Sequence, residues 1–201
     1  MMDDRNLALH GLAIKRHAKA EAVADLTGLS PDAAQAQLAT AVATGRAIEA
    51  QGAYTLTPLA RVALQSRYEV DFAAQRADAG FAAAYHGFER INPELKSVIT
   101  DWQTMNVRGE RRVNDHSDPD YDDKVIDRLC TLHERAETVL AGLAHGLPRM
   151  AIYGRKLEAA LDRVESGQPE WVSDIHRDSY HTVWFELHED LLRIMGQTRV
   201  E

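Results

Sequence analysis

The spacing of apolar residues along the chain predicts a protein made mainly of helices. In the first third, apolar residues recur at helical spacing over residues 7–18, again around Ala22–Leu26, and again over residues 31–44. Ser30-Pro31 is a strong start signal for the third of these helices, because serine caps free backbone N–H groups and proline suits the first helical position. Gly28 and Gly45 are typical helix ends.

A short hairpin follows the third predicted helix. Ile48 lies on one side of the turn residues Gln51-Gly52, and Tyr54 and Leu56 lie on the other. Thr57-Pro58 then has the same cap-and-proline form as Ser30-Pro31 and predicts the start of a fourth helix. Residues 1–66 are therefore expected to form one domain of helices and a hairpin.

Residues 67–201 are expected to form an antiparallel helical bundle, because long amphipathic stretches alternate with short connections. The fourth helix is expected to continue through residues 66–90, and Asn92-Pro93 to cap a new helix. Residues 106–118 are expected to be irregular, before Asp118-Pro119 starts the next helix. Three later stripes comprise Val125, Leu129, Leu132, Ala136, Val139 and Leu143; Leu147, Met150, Leu157, Leu161 and Val164; and Tyr180, Val183, Trp184, Leu187, Leu191 and Ile194.

Composition and charge narrow the class of protein. The content of 45% hydrophobic and 27% charged residues is ordinary for a globular chain, and no apolar run reaches the roughly 18 residues of a membrane span. The start lacks the basic region of a signal peptide, and Cys130 is the single cysteine, so we expect a cytoplasmic protein without a disulfide and without a membrane partner. Residues 1–66 hold six acids and six bases, so the net charge of −8 lies entirely in residues 67–201.

The order helix, helix, helix, hairpin, helix resembles the MarR-like winged-helix family, and YTLTPLARVAL is similar to that family's junction between strand and helix. The resemblance implies a transcriptional regulator whose winged helix binds DNA and whose helical part forms a homodimer, senses a small-molecule effector, or both. The third helix would then enter the major groove, with Gln37, Thr40 and Thr44 facing the DNA. The bases expected to contact phosphates are Lys15, Arg16, Lys19 and Arg46. The third helix itself contains no Lys or Arg, which argues against DNA as the partner.

The stretch DSYHTVWFELHEDLL carries the densest group of polar side chains. Asp178 and His181 are three residues apart on one flank of the predicted final helix, so the carboxylate is placed to orient the imidazole. We predict a ligand pocket from this flank and the irregular segment, formed by Trp102, Asn114, Asp115, His116, Asp178, Tyr180, His181 and Trp184. Ser179, Thr182, Glu186, Glu189 and Asp190 are expected to face solvent.

The same stretch is not expected to bind a metal or a cofactor. His181 and His188 are seven residues apart, about 10.5 Å along a helix axis, which is too far for two ligands of one zinc ion. Phe185 and Leu192 occupy the positions where a second histidine of a zinc-protease motif would lie. The chain contains no phosphate-binding loop, no nucleophile elbow and no dinucleotide fingerprint, so no catalytic residue is assigned.

Two further hypotheses remain open. The combination of NDHSDPDYDD and DSYHTVWFELHEDLL resembles accessory segments of bacterial phosphoenolpyruvate-utilising, dikinase-type proteins, which implies a protein-interaction module that binds a phosphotransfer partner without binding DNA. The Gly-rich Thr-Ser-His phosphohistidine motif of that family is absent, so the chain is not expected to transfer phosphoryl groups itself. The other hypothesis is a small helical enzyme that uses Asp178, His181 and His116.

Overall fold

A computed structural model describes residues 2–107 and 109–198 of the 201-residue chain. The protein is mainly helical, as the sequence predicts, and it has two small antiparallel hairpins, of which the sequence predicts the first. The elements in chain order are α1 (Asp4–Lys15), α2 (Ala20–Thr27), α3 (Pro31–Ala43), β1 (Ala47–Ala50), β2 (Ala53–Leu56), α4 (Pro58–Asp71), α5 (Ala73–Ala77), α6 (Ala79–Gln103), β3 (Thr104–Val107), β4 (Glu110–Val113), α7 (Pro119–Gly146), α8 (Ala151–Glu165) and α9 (Tyr180–Met195). Short 3-10 turns cover Pro148–Met150 and Pro169–Trp171.

Local signals in the sequence account for the early elements. The Ser30 hydroxyl accepts from the Ala33 N–H at the start of α3, and the Thr57 hydroxyl accepts from the Ala60 N–H at the start of α4. The loop between β1 and β2 is only two residues long, and both Gln51 and Gly52 have positive φ. That backbone is the one that two-residue hairpins prefer, because it matches the twist of the flanking strands.

Ala18, between α1 and α2, adds a third short strand segment to this hairpin. Its carbonyl accepts from the Tyr54 N–H at 2.8 Å, and its N–H donates to the Tyr54 carbonyl at 3.1 Å. Tyr54 itself is buried. The bridge therefore ties the end of α1 to the middle of β2.

The chain divides into two compact units, and α9 contributes residues to both. Unit 1 consists of Met1–Asp78 and Glu186–Glu201, and unit 2 of Ala79–Phe185. The boundary expected between residues 66 and 67 falls inside α4. The first six residues of α9 belong to unit 2, and the rest of that helix belongs to unit 1.

The expected course of the chain between residues 66 and 103 is wrong at two points. The fourth helix ends at Asp71, and α6 begins at Ala79, after the short α5. Pro93 lies inside α6 and does not start a helix. The reason is visible in the spacing of one stripe on α6 whose members are all buried: Phe81, Tyr85, Phe88, Asn92, Leu95, Ile99 and Trp102. The stripe keeps its helical period across the proline, so burying it as one face offsets the hydrogen bond that proline removes.

The expectation of an irregular segment over residues 106–118 is also wrong. Within it lies most of the hairpin β3–β4, whose pairing runs from Thr104 with Val113 to Val107 with Glu110. The Asn106 side chain accepts from the Gly109 N–H at 2.8 Å, and Gly109 has φ of 89°, which favours glycine. Every residue of β4 is exposed, so neither face of this strand carries the apolar alternation by which a strand is recognised.

The expected stripes of α7 and α8 form the core of unit 2. On α7 all of the predicted positions are buried except Val139, which is half-buried. On α8, Leu157, Leu161 and Val164 are buried as predicted. Two α6–α7 contacts are close enough to restrict substitution, since a Cβ added at Gly87 would meet Val139 at 3.0 Å and one added at Gly146 would meet Phe81 at 2.9 Å.

Candidate functional site

The outward face of α3 is open to solvent. Ala36, Thr40 and Thr44 are exposed, and Gln37 is half-buried, whereas Ala34, Leu38 and Ala41 on the opposite face are fully buried. The Thr40 and Thr44 hydroxyls donate back to helix carbonyls at 2.9 and 2.8 Å. Their oxygens can still accept, and the Gln37 amide can both donate and accept, so this face can read hydrogen-bonding groups.

The four predicted phosphate-binding residues lie in different surroundings. Lys15 is nearly buried and forms an ion pair with Glu186 at 2.8 Å, so its charge is already used inside unit 1. Arg16 and Lys19 are exposed, in the connection between α1 and α2. Arg46 is half-buried between α3 and β1, where its carbonyl accepts from the Thr57 N–H. Lys19 and Arg46 are therefore better placed than Lys15 to meet a phosphate.

Three of the predicted pocket residues meet at the base of the β3–β4 hairpin. The Asn114 side chain donates to the Trp102 carbonyl at 3.0 Å and to Asp122 at 2.7 Å. The His116 ring lies against Trp102, with 4.4 Å between centroids, and its Nδ1 is 2.9 Å from the other oxygen of Asp122. His116 has φ of 59°, a left-handed conformation that is uncommon for histidine. Asp122, on the first turn of α7, is therefore the residue that joins this group.

Asp115 does not join that group. Its carboxylate accepts from the hydroxyl and the N–H of Ser117, at 2.6 and 3.1 Å. The Ser117 hydroxyl bond is the main reason why the pKa of Asp115 lies below its ordinary value. Asp115 is thus engaged in a local turn that it makes with its own neighbour.

The other four predicted pocket residues lie around the start of α9. Asp178 forms an ion pair with Lys156 at 2.6 Å, which differs from its expected role as the partner of His181. The Tyr180 hydroxyl is 3.1 Å from His133 Nδ1, and burial raises the pKa of this phenol. The Trp184 indole donates to the Asn92 side chain at 3.1 Å. Burial lowers the pKa of His181, so the neutral imidazole is favoured there.

The structure places the eight pocket candidates in two groups, and the expectation of one shared pocket is corrected accordingly. Trp184 contacts α6 near its middle, at Phe88 and Asn92. Trp102 lies ten residues further along the same helix, about 15 Å away at 1.5 Å per residue. Each group has the contacts of a packed helix or turn, and the two are separated along α6.

The burial of the acids of α9 is the feature that differs most from what the sequence predicts. Glu186, Glu189 and Asp190 are buried, although they were expected to face solvent, and so is Ser179; Thr182 is half-buried. Asp190 and His10 are both completely buried, and the Asp190 carboxylate is 2.9 Å from His10 Nε2. The second nitrogen of His10 is 3.0 Å from the Tyr68 hydroxyl. Glu189 pairs with Arg193 at 2.6 Å, as Glu186 does with Lys15.

One signal in the sequence points to this buried group. His10 lies among Ala8, Leu9, Leu12 and Ile14, so a helix that buries its apolar residues also buries the imidazole. Since a buried polar group needs a hydrogen-bonding partner, the burial of His10 predicts that a polar residue elsewhere in the chain bonds to it. The sequence does not say that the partner lies 180 residues later.

Within residues 2–107 and 109–198, no three His, Cys, Asp or Glu side chains are arranged to hold a metal ion. None of the helices in the described part of the chain combines the length and the apolar character needed to cross a membrane.

The candidate functional features of the molecule are the exposed face of α3, two polar groups in unit 2, and the buried group around His10 and Asp190 in unit 1. Comparisons of the chain with protein-family models, with curated proteins and with solved structures gave no match.

Proposed function

We propose that the chain is a winged-helix transcriptional regulator of the MarR-like type, in which α3 and the β1–β2 hairpin bind DNA. The order of α1, α2, α3, β1, β2 and α4 supports this proposal. The bridge between Ala18 and Tyr54 adds to this support, because it joins the connection between the first two helices to the hairpin.

The observation that carries the proposal is the open outward face of α3. A helix that enters the major groove needs an exposed side with hydrogen-bonding groups and little bulk, because the groove is only about 12 Å wide. The outward face of α3 consists of exposed alanines and threonines and the half-buried Gln37. The β1–β2 hairpin follows α3 directly, and its Ile48 is 59% exposed.

The distribution of charge sets the expected strength of binding. Lys19 and Arg46 are the bases that we assign to phosphates in each protomer. At about 0.9 counterions released per phosphate contact, log K should fall with log salt with a slope of about −2 per protomer. DNA binding is therefore expected to be weak, and a pair of winged helices reading half-sites about 34–36 Å apart would compensate for this. We propose that residues of the helical remainder form this homodimer or sense a small-molecule effector.

The test compares two glutamines of the same helix by fluorescence anisotropy, with the DNA that precedes the gene as the probe. Gln37→Ala removes an amide from the outward face, and we expect it to weaken specific binding by about 1–3 kcal/mol, roughly 5- to 150-fold. Gln35→Ala is the matched control, because the Gln35 amide donates to the Tyr54 hydroxyl within unit 1. It should leave the DNA affinity unchanged.

Thermal unfolding of both variants separates a loss of contact from a loss of fold. If Gln37→Ala leaves the DNA affinity as unchanged as Gln35→Ala does, at equal stability, α3 is not the reading helix. If the unchanged chain binds all DNA weakly and with no sequence preference at low salt, the proposal is wrong.

A second candidate function rests on a different observation. Ile48, Leu59, Val62 and Val70 each expose more than half of their surface, and α3 carries no cation. Exposed apolar side chains of this kind suit a protein partner better than DNA. In this alternative unit 1 is a protein-interaction module, and the partner implied by the earlier resemblance is a phosphotransfer enzyme. A stable complex on pull-down from the host that Leu59→Asp and Val62→Asp abolish, with no loss of DNA affinity, would favour the alternative.

A further inference from the structure

Unit 1 contains a cavity of about 330 Å³ that none of the functions above uses. Residues of α1, α4 and α9 line it, together with Arg16 directly after α1 and Leu56 at the end of β2. Its polar lining comprises Arg16, Arg61, Arg193, Gln65 and Tyr68, and the rest of the lining is leucine and alanine. The volume lies at the lower end of the range for small-molecule sites, about 300–1,000 Å³.

The electrostatics of this cavity favour a negatively charged occupant. Three of its lining residues are arginines, and none is an aspartate or a glutamate. Arg61 is exposed and makes no ion pair with any residue that the structure describes. Arg61 therefore brings an uncompensated positive charge to the cavity, and an anion placed beside it lowers the free energy.

Hydrogen bonds within unit 1 fix the side chain of Arg193, the arginine on α9. Arg193 donates to the Glu189 carboxylate at 2.6 Å and to the Ala13 carbonyl at 3.3 Å. A guanidinium has five N–H donors in a rigid fork, so these bonds fix its orientation and leave further donors for a ligand. A fixed fork of this kind suits the paired oxygens of a carboxylate or a phosphate.

The wall beside Tyr68 is rigid for a related reason. The Tyr68 hydroxyl is 3.0 Å from His10, and His10 is 2.9 Å from Asp190. All three residues are buried. Because each member of the chain of hydrogen bonds holds the next, the wall is already formed before a ligand arrives, which reduces the ordering cost of binding.

From this geometry we propose that the cavity binds a small organic anion, a phosphate monoester or a carboxylate with a short aliphatic body. Arg16, Arg61 and Arg193 bind the charged group, and Leu64 with its apolar neighbours packs against the body. The site is a property of unit 1 alone, and it stands whether or not α3 binds DNA.

The experiment is calorimetric titration of the full chain in a phosphate-free buffer. The probes are butyl phosphate, butyrate and inorganic phosphate, with butylamine as the cation of matching size. We expect saturable binding of at least one butyl anion, with one site per chain, and no binding of butylamine. The tighter of butyl phosphate and butyrate identifies the charged group. Inorganic phosphate that binds as tightly as butyl phosphate would overturn the aliphatic part of the proposal.

Two variants and a control locate the site. Arg61→Gln should weaken binding about tenfold or more, as expected for a lost charge-assisted hydrogen bond. Arg67→Gln is the matched control, because it removes the same charge from α4 outside the cavity and Arg67 is paired with Asp71. Ala13→Met, which adds bulk at the cavity wall, should also weaken binding without changing the charge.

Each outcome either supports or overturns the proposed anion site. Weakening by Arg61→Gln and Ala13→Met but not by Arg67→Gln supports the site. Equal weakening by Arg61→Gln and Arg67→Gln means that the anion follows the general charge of unit 1, and this overturns the proposal, as does the absence of saturable binding by every probe. Arg61 is exposed, so its variant should unfold at the temperature of the unchanged chain.

Discussion

At the scale of single residues, His10 and Asp190 are the pair whose loss should matter most for unit 1. Both are completely out of contact with solvent, and each is the other's hydrogen-bonding partner. A buried pair of this kind need not stabilise the fold more than two apolar residues would. Removal of one partner alone is a different matter, because the buried carboxylate of Asp190 then loses its hydrogen bond with His10.

We therefore predict that His10→Ala lowers the free energy of unfolding by about 3–5 kcal/mol at neutral pH, measured by urea denaturation. The control is His17→Ala, which removes an exposed imidazole whose Nδ1 is 3.0 Å from the Thr55 hydroxyl. Its cost should stay within about 0.5 kcal/mol. Similar losses in the two variants would show that Asp190 does not depend on His10.

At the scale of secondary-structure elements, α6 contains a residue that its own geometry disfavours. Pro93 lacks the N–H that would bond to the carbonyl of Glu89, and its ring crowds that carbonyl. Nothing in the packing requires the ring, since Pro93 is exposed. Pro93→Ala should raise the free energy of unfolding by about 1–3 kcal/mol, because a proline in a helix interior costs about 3 kcal/mol relative to alanine.

Pro119 provides the comparison for this prediction. It lies at the first position of α7, where the missing N–H has no partner within the helix in any case. Pro119→Ala should therefore leave the thermal unfolding midpoint unchanged or lower it slightly. A decrease with Pro93→Ala would mean that the proline maintains a bend in α6 on which the packing of its apolar stripe depends.

The elements also show where sequence reasoning succeeds and where it stops. The starts of α3, α4 and α7 were predictable because Ser30, Thr57 and Asp118 each cap a helix through a local hydrogen bond. The continuity of α6 was not, because the cost of Pro93 is local while the gain comes from a stripe extending along the whole helix. The β3–β4 hairpin was missed because an exposed two-stranded ribbon carries no apolar pattern.

The same distinction between local and long-range signals applies to the candidate site. The polar face of α3 follows from helical periodicity alone, which places Gln37, Thr40 and Thr44 together. The burial of Glu186, Glu189 and Asp190 depends on partners in α1 and within α9, and a helical wheel of α9 does not contain the partners in α1. The periodicity of a single sequence does not reveal long-range pairing of this kind.

At the scale of the whole molecule, unit 1 is discontinuous in sequence. Its first part ends at Asp78, and it is completed by the second half of α9. That half supplies Asp190 to His10 and Glu186 to Lys15, and the Arg76 side chain donates to the Ile194 carbonyl at 2.6 Å. A fragment that ends at Asp78 thus contains His10 and Lys15 but lacks the carboxylates of Asp190 and Glu186 that they contact.

We predict that residues 1–78 alone do not form a stable fold. The fragment should give poorly dispersed amide signals in nuclear magnetic resonance and a non-cooperative urea transition. Addition of a peptide of residues 186–198 in excess should restore cooperative unfolding, since a ligand that binds only the folded form stabilises it by mass action. A fragment that unfolds cooperatively without the peptide would show that α9 is dispensable for unit 1.

The discontinuity of unit 1 also has a consequence in time. A ribosome adds about 5–20 residues per second, so roughly 5–20 s pass while the hundred or so residues of unit 2 are being made. During that interval α1 through α5 have been synthesised, but the carboxylates of Asp190 and Glu186, which bond to His10 and Lys15, have not. We therefore expect any activity of this unit, whether toward DNA, a protein or a small anion, to be withheld from the nascent polypeptide until translation has passed Ile194.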